Sequence, residues 1–165
     1  MPSHRSSVEG RVYRFRSETE CEELRLTLSN EITKVIRQHM VLALGRVPER
    51  PGYVEVMTVT TKDQSGQNLP ISPTPKRHYP LQLRFINPLP ENVFGGTLMR
   101  FTTLPKLSYL RVDKSYEVPL SALEDVIDGY GNQPMLRLKG HGGIRHLLQH
   151  LRATKHRQLG NRVLV

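Results

Sequence analysis

The 165-residue chain has a single cysteine, Cys21. A lone thiol excludes an internal disulfide framework and cannot build a thiolate zinc site, so a reducing, intracellular and cytoplasmic setting is expected. No apolar run approaches the ~20 residues that cross a bilayer, and no membrane partner is expected. The start, MPSHRSSVEGRVYRFR, lacks the apolar core of a signal peptide. It is basic, which leaves nucleus and mitochondrion open beside the cytoplasm. Carboxylates run out early: the last is Asp128. The familiar enzyme signatures are missing too. There is no G-x-S-x-G elbow, and GHGG at 140–143 lacks the Lys-Ser/Thr of a phosphate-cradling loop.

Positive charge is what the chain has in excess. The net charge is +9, with a pI of about 10.1. That favours an acidic partner, nucleic acid first. Charge is also unevenly spread. Glu18, Glu20, Glu22, Glu23 and Glu31 crowd one early segment, whereas 129–165 holds seven Lys or Arg, four His and no acid. Arg145, Arg152, Lys155 and Arg157 in that stretch are candidate phosphate contacts; the alternative is a solvated helix face.

The length suits one domain. Residues 1–17 read as a flexible arm, although RVYRF (11–15) alternates like a short strand. From 18 to 44, Leu24, Leu28, Ile32, Val35, Ile36 and Met40 recur at spacings of three and four, which predicts a long helix. Ser17 and Glu20 suit its capping box, and Gly45 and Pro48 its end. GYVEVMTVTT (52–61) is the clearest strand, rich in β-branched residues. The segment 62–80 holds four prolines and reads as a loop. Further strands are expected at 81–86, 97–104, 108–120 (broken near Lys114–Ser115) and 134–139. A terminal helix at 143–157 presents Ile144, Leu147, Leu148 and Leu151 on one side, and the domain (18–152) ends in a basic tail, 153–165. The expected fold is mainly β with flanking helices (α+β), an antiparallel sheet curled into a small barrel.

Within SYLRVDKSYEVPL, Arg111 and Asp113 are two residues apart, so a strand turns both to one face. A face with two charges is not a core face, so Leu110 and Val112 should point inward. The pair is either an ordinary surface ion pair or a polar catalytic pair. With a hydroxyl from Thr60 or Thr61, such groups can cleave a phosphodiester without metal. Asp113 would take the 2′-hydroxyl proton, Arg111 would offset phosphoryl charge or donate a proton, and a threonine would bond the phosphate. His146 and His150 have the i, i+4 spacing of metal ligands, but no carboxylate near them in sequence completes a site.

VEVMTVTT followed by YLRVDKSYEVP resembles the MazF/PemK-type toxin endoribonucleases. In that family an apolar strand ends in a Thr/Ser pair and a later strand carries Arg-x-Asp. Longer, proline-interrupted versions occur in fungi, and this sequence looks most like those. By position the resemblance implies that Thr60, Arg111 and Asp113 are catalytic, with Thr61 as the neighbouring hydroxyl. ERP at 49–51 resembles the family's Arg-Pro strand entry, which makes Arg50 an RNA-binding candidate. GGIRHLLQHL resembles its closing helix. The family fold is a small SH3-like antiparallel barrel. The implied substrate is single-stranded RNA, with no cofactor and no metal, and the resemblance leaves room for a homodimer and a protein inhibitor. The family usually has one more strand between the Arg-Pro entry and the threonine strand, and its opening strand finds a stand-in only in GRVYRF. A basic module that binds RNA or another protein without turnover is the competing expectation.

Overall fold

In a computed structural model of the protein, the described residues are 8–62, 68–71, 81, 83, 85–88, 99–102, 108–127, 133–136 and 142–163; for 86–88, 99–102 and 156–163 this covers the backbone alone. In chain order the elements are β1 (Val12–Phe15), α1 (Glu18–Glu23), α2 (Lys34–Arg37), β2 (Met40–Arg46), β3 (Tyr53–Thr60), β4 (Leu69–Ile71), β5 (Phe85–Pro88), β6 (Met99–Thr102), β7 (Ser108–Leu110), β8 (Tyr116–Pro119), β9 (Leu123–Asp125), β10 (Met135–Leu136) and α3 (Ile144–Val163). The chain is mainly β, and its strands pair antiparallel. Seven strands make one sheet, ordered β4-β7-β3-β2-β1-β9 with β8 also on β3, and β10-β5-β6 make a second. The larger sheet is open along this path, so the expected closed barrel is not found among the described residues. Two single bridges join Arg11, just ahead of β1, to Met135 of β10, and Ile71 of β4 to Leu83, two residues ahead of β5.

The central strands are covered on both faces, which is why they read as near-continuous apolar runs. Period-two alternation sends Val41, Ala43, Val54 and Val56 to one face, with Tyr13, Phe15, Tyr116 and the overlying Ile32 and Ile36. It sends Val12, Leu42, Leu44, Met57, Val59 and Leu110 to the other, against Leu83, Phe85, Leu136 and the α3 residues Ile144 and Leu147. Each fully buried Val, Leu, Ile, Phe or Met side chain among them contributes about 1.5–3 kcal/mol by leaving water.

The helix expected over 18–44 is corrected to two short helices and a strand. Ser17 does cap α1, accepting from the Glu20 N–H at 3.1 Å. The helix then stops at Leu24, and Arg25 adopts φ 56°, a left-handed conformation that ends helices. Thr33 starts α2, accepting from the Ile36 N–H at 3.3 Å. The apolar run Met40–Leu44 then pairs with β1 and β3 as β2. Any unbroken apolar run contains residues at spacings of three and four, so the helical stripe was drawn partly from a buried strand. Gly45 ends no helix: the β2–β3 register shifts between Ala43 and Gly45, the mark of a bulge.

The expected N-terminal arm is also corrected from residue 8 onward. Val8 is buried, and β1 lies between β2 and β9; residues 1–7 lie outside the described residues. At the other end the helix expected at 143–157 runs on to Val163, so most of the expected tail is helix. The proline-rich stretch contributes β4 at the sheet's edge, where Pro70 needs no ladder donor and its carbonyl accepts from the Leu83 N–H at 2.9 Å. The break expected near Lys114–Ser115 separates β7 from β8. Much of the expected strands 81–86, 97–104 and 134–139 lies outside the described residues.

Candidate active site

Leu110 is fully buried and Val112 packs against the same apolar cluster, as expected for the inward positions. Alternation therefore turns Arg111 and Asp113 outward. Beyond β7 the ladder to β3 carries one more bond, from the Arg111 N–H to the Thr58 carbonyl at 3.0 Å. That fixes Arg111 across from Thr58. Thr60, paired with Tyr109, is then its diagonal neighbour on the same sheet face.

The Arg111 guanidinium meets Asp113 as a fork. Nε donates to Oδ1 at 2.7 Å and Nη2 donates to Oδ2 at 3.0 Å, with the side chains 36% and 52% exposed. The hydrogen bond from Arg111 holds the Asp113 carboxyl below the usual carboxylate range, against a smaller opposing effect of burial. The same bond raises the Arg111 pKa, so its guanidinium is a fixed cation and no proton donor. Two of its five N–H groups face Asp113, and three remain on the outer edge. The expectation that Asp113 is the base meets a carboxylate whose two oxygens are already engaged and whose proton affinity is lowered. A general base works best with a pKa near the operating pH. This carboxylate is better suited to orienting Arg111.

At the end of β3 the Thr60 hydroxyl accepts from the Lys62 N–H at 3.2 Å, which leaves its own hydrogen to donate. Thr61 is exposed in the bend that follows. A groove of about 380 Å³ passes Asp113, lined by Glu55, Met57, Val112, Lys114 and Ser115 on one side and by Leu151, Thr154 and Lys155 of α3 on the other; Glu55 and Met57 belong to the sheet face opposite Thr60. Lys155 is thus brought to the Asp113 end. Arg145 and Arg152 line a separate hollow of about 410 Å³ with Glu9, Leu148 and Gln149. Both arginines and Lys155 are exposed, while Ile144 and Leu147 anchor α3 in the core. Arg157 belongs to α3, but its side chain lies outside the described residues. His146 is tied to the start of this helix, its Nδ1 accepting from the Gly142 N–H at 3.2 Å. Among the described residues no group of three or more His, Cys, Asp or Glu is placed to hold a metal ion.

Arg50 is not brought to this site. It lies in the β2–β3 turn, its guanidinium 3.4 Å from Glu117 and 3.8 Å from the centre of the Tyr53 ring. Thr60 is at the opposite end of the eight-residue β3, about 23 Å away at the rise of an extended strand.

His39 escaped the sequence reading. It immediately precedes β2, and its Nδ1 lies 3.1 Å from the Val59 carbonyl, one residue from Thr60. A helix drawn through 18–44 hides it, because only β2 and its register bring residue 39 to the end of β3.

No protein family model matches the chain, and no curated protein or solved structure matches it either. Among the described residues no helix is long and apolar enough to cross a membrane.

Proposed function

We propose that the chain is a toxin-like endoribonuclease of the MazF/PemK type, cleaving single-stranded RNA by attack of the substrate's own 2′-hydroxyl. The observation that carries this reading is the braced guanidinium. Asp113 holds one edge of Arg111, three N–H groups face outward, and the Thr60 hydroxyl stands diagonally on the same face. That is a preorganised arrangement for a phosphoryl group gaining charge. Strand order supports the resemblance in part: GRVYRF supplies an opening strand, while β2 lies ahead of Arg50–Pro51 and not between that dipeptide and the strand ending in Thr60. The single bridges support a barrel-like closure, since they link Arg11, just ahead of β1, to β10, and β4 to Leu83, two residues ahead of β5, around one shared core.

RNA would enter along α3 and the groove beside Asp113. If Arg145, Arg152 and Lys155 contact phosphates, affinity for a single strand should fall steeply with salt, and each Ala substitution should reduce the slope of log affinity against log salt by roughly 0.7. Filter binding across a salt series measures this. Unchanged slopes in all three variants would make α3 a solvated face.

Binding without cleavage is the second reading, favoured by the engagement of both Asp113 oxygens with Arg111. Incubating purified protein with a labelled RNA and its DNA copy separates the two. Cleavage of the RNA alone supports the nuclease; salt-sensitive binding with no cleavage supports the module.

A further inference from the structure

With Asp113 committed to Arg111, the cleavage lacks a base among Arg111, Asp113 and Thr60. His39 stands at the same end of β3. His39 lies in the bend before β2, its N–H bonded to the Ile36 carbonyl, and its ring contact with the Val59 carbonyl brings it one residue from Thr60, which is itself opposite Tyr109 of β7. The site thus spans three adjacent strands, with His39 at one edge and Arg111 at the other. Two strand spacings, about 10 Å, lie between the strands that carry them.

The main chain fixes the ring's tautomer. A carbonyl oxygen only accepts, so the 3.1 Å contact with Val59 requires the hydrogen on Nδ1. The neutral ring then carries its lone pair on Nε2, and no other described group bonds to the ring. A base whose second nitrogen is held by a fixed acceptor is the arrangement that activates hydroxyl nucleophiles elsewhere.

We infer that Nε2 of His39 is the general base that takes the 2′-hydroxyl proton, an assignment that rests on the endoribonuclease reading. The 2′-oxygen bonds to phosphorus as the bond from phosphorus to the 5′-oxygen breaks. Nε2 receives the 2′ proton, and water protonates the leaving 5′-oxygen. The hydroxide so formed takes the proton from the imidazolium, which restores the ring. Arg111 stays charged throughout and binds the phosphoryl oxygens, with Thr60 donating beside it. The products are a 2′,3′-cyclic phosphate and a 5′-hydroxyl.

The test uses the full chain and an end-labelled single-stranded RNA. His39→Asn keeps an N–H donor near the Val59 carbonyl but removes Nε2. Its cleavage rate should fall at least ~10²-fold while its RNA affinity stays within about twofold of wild type. Nitrogen-15 NMR of the wild-type protein should show neutral His39 protonated on Nδ1, and this reading stands even if the variant fails to fold. A ring protonated on Nε2 overturns the assignment. So does a folded His39→Asn protein that cuts at the wild-type rate, and that result leaves the nuclease reading intact. Wild-type protein that binds RNA but cuts none removes the nuclease reading, and the base with it.

Discussion

Arg111→Lys protein is expected to fold as the wild type does and to cleave RNA at least ~10²-fold more slowly, the usual loss when a preorganised donor to developing charge is removed. Lysine keeps the charge but has no planar fork. It cannot be held by Asp113 on one edge while offering a second edge to phosphate. The stability change should stay within about 1 kcal/mol, because an exposed ion pair contributes only about 0.2–1 kcal/mol. Asp113→Asn keeps one acceptor for Arg111, so it should lose less activity than Arg111→Lys if Asp113 orients and does not take protons. The linkage sign follows from the lowered Asp113 pKa. The pair's small stabilisation is fully present above the unfolded carboxylate value of about 3.9 and fades as pH falls through the lower folded value. Single-turnover cleavage rates and denaturant unfolding of both variants check this. Wild-type cleavage by Arg111→Lys protein would return the pair to an ordinary surface contact.

Leu42→Ala should cost about 2–5 kcal/mol, enough to unfold much of a chain of ordinary stability. Leu42 is fully buried in the middle of β2, between β1 and β3. Leu24→Ala should change stability by no more than about 0.5 kcal/mol, because Leu24 is 52% exposed beyond the end of α1. A single amphipathic helix over 18–44 demands the reverse, since Leu24 belongs to its apolar stripe and Leu42 does not. Urea unfolding of the two variants decides between strand and helix. Equal costs would contradict the two-faced sheet.

Strands with clean signals were legible in the sequence. The β-branched run at 53–60, the break between Leu110 and Tyr116 and the start of the terminal helix all fall where alternation, punctuation and apolar spacing place them. β2 was not legible, because a strand covered on both faces loses alternation and a short apolar run carries no periodicity of its own. α1 and α2 misled for a related reason. Each has a true N-cap, at Ser17 and Thr33, so the local start signals were right while the length between them was wrong. The outward pair Arg111 and Asp113 followed from period two alone. Its fork geometry did not, since no spacing rule says which side chain a guanidinium will meet. Arg50 was assigned from a dipeptide, and the turn that holds it lies at the far end of β3 from Thr60. His39 needed the β2–β3 register before it had any neighbours at all.

End-group analysis of RNA fragments is the measurement on which the nuclease reading stands or falls. Purified wild-type protein is incubated with labelled single-stranded RNA in excess EDTA, beside a DNA copy of the same sequence. On that reading Arg111, Thr60 and a base drawn from the chain's own residues supply the chemistry, so cleavage should persist. It should leave 2′,3′-cyclic phosphate and 5′-hydroxyl ends, and the DNA, which has no 2′-hydroxyl, should stay intact. Fragments ending in a 5′-phosphate, cleavage that stops in EDTA, or cutting of the DNA copy would contradict it.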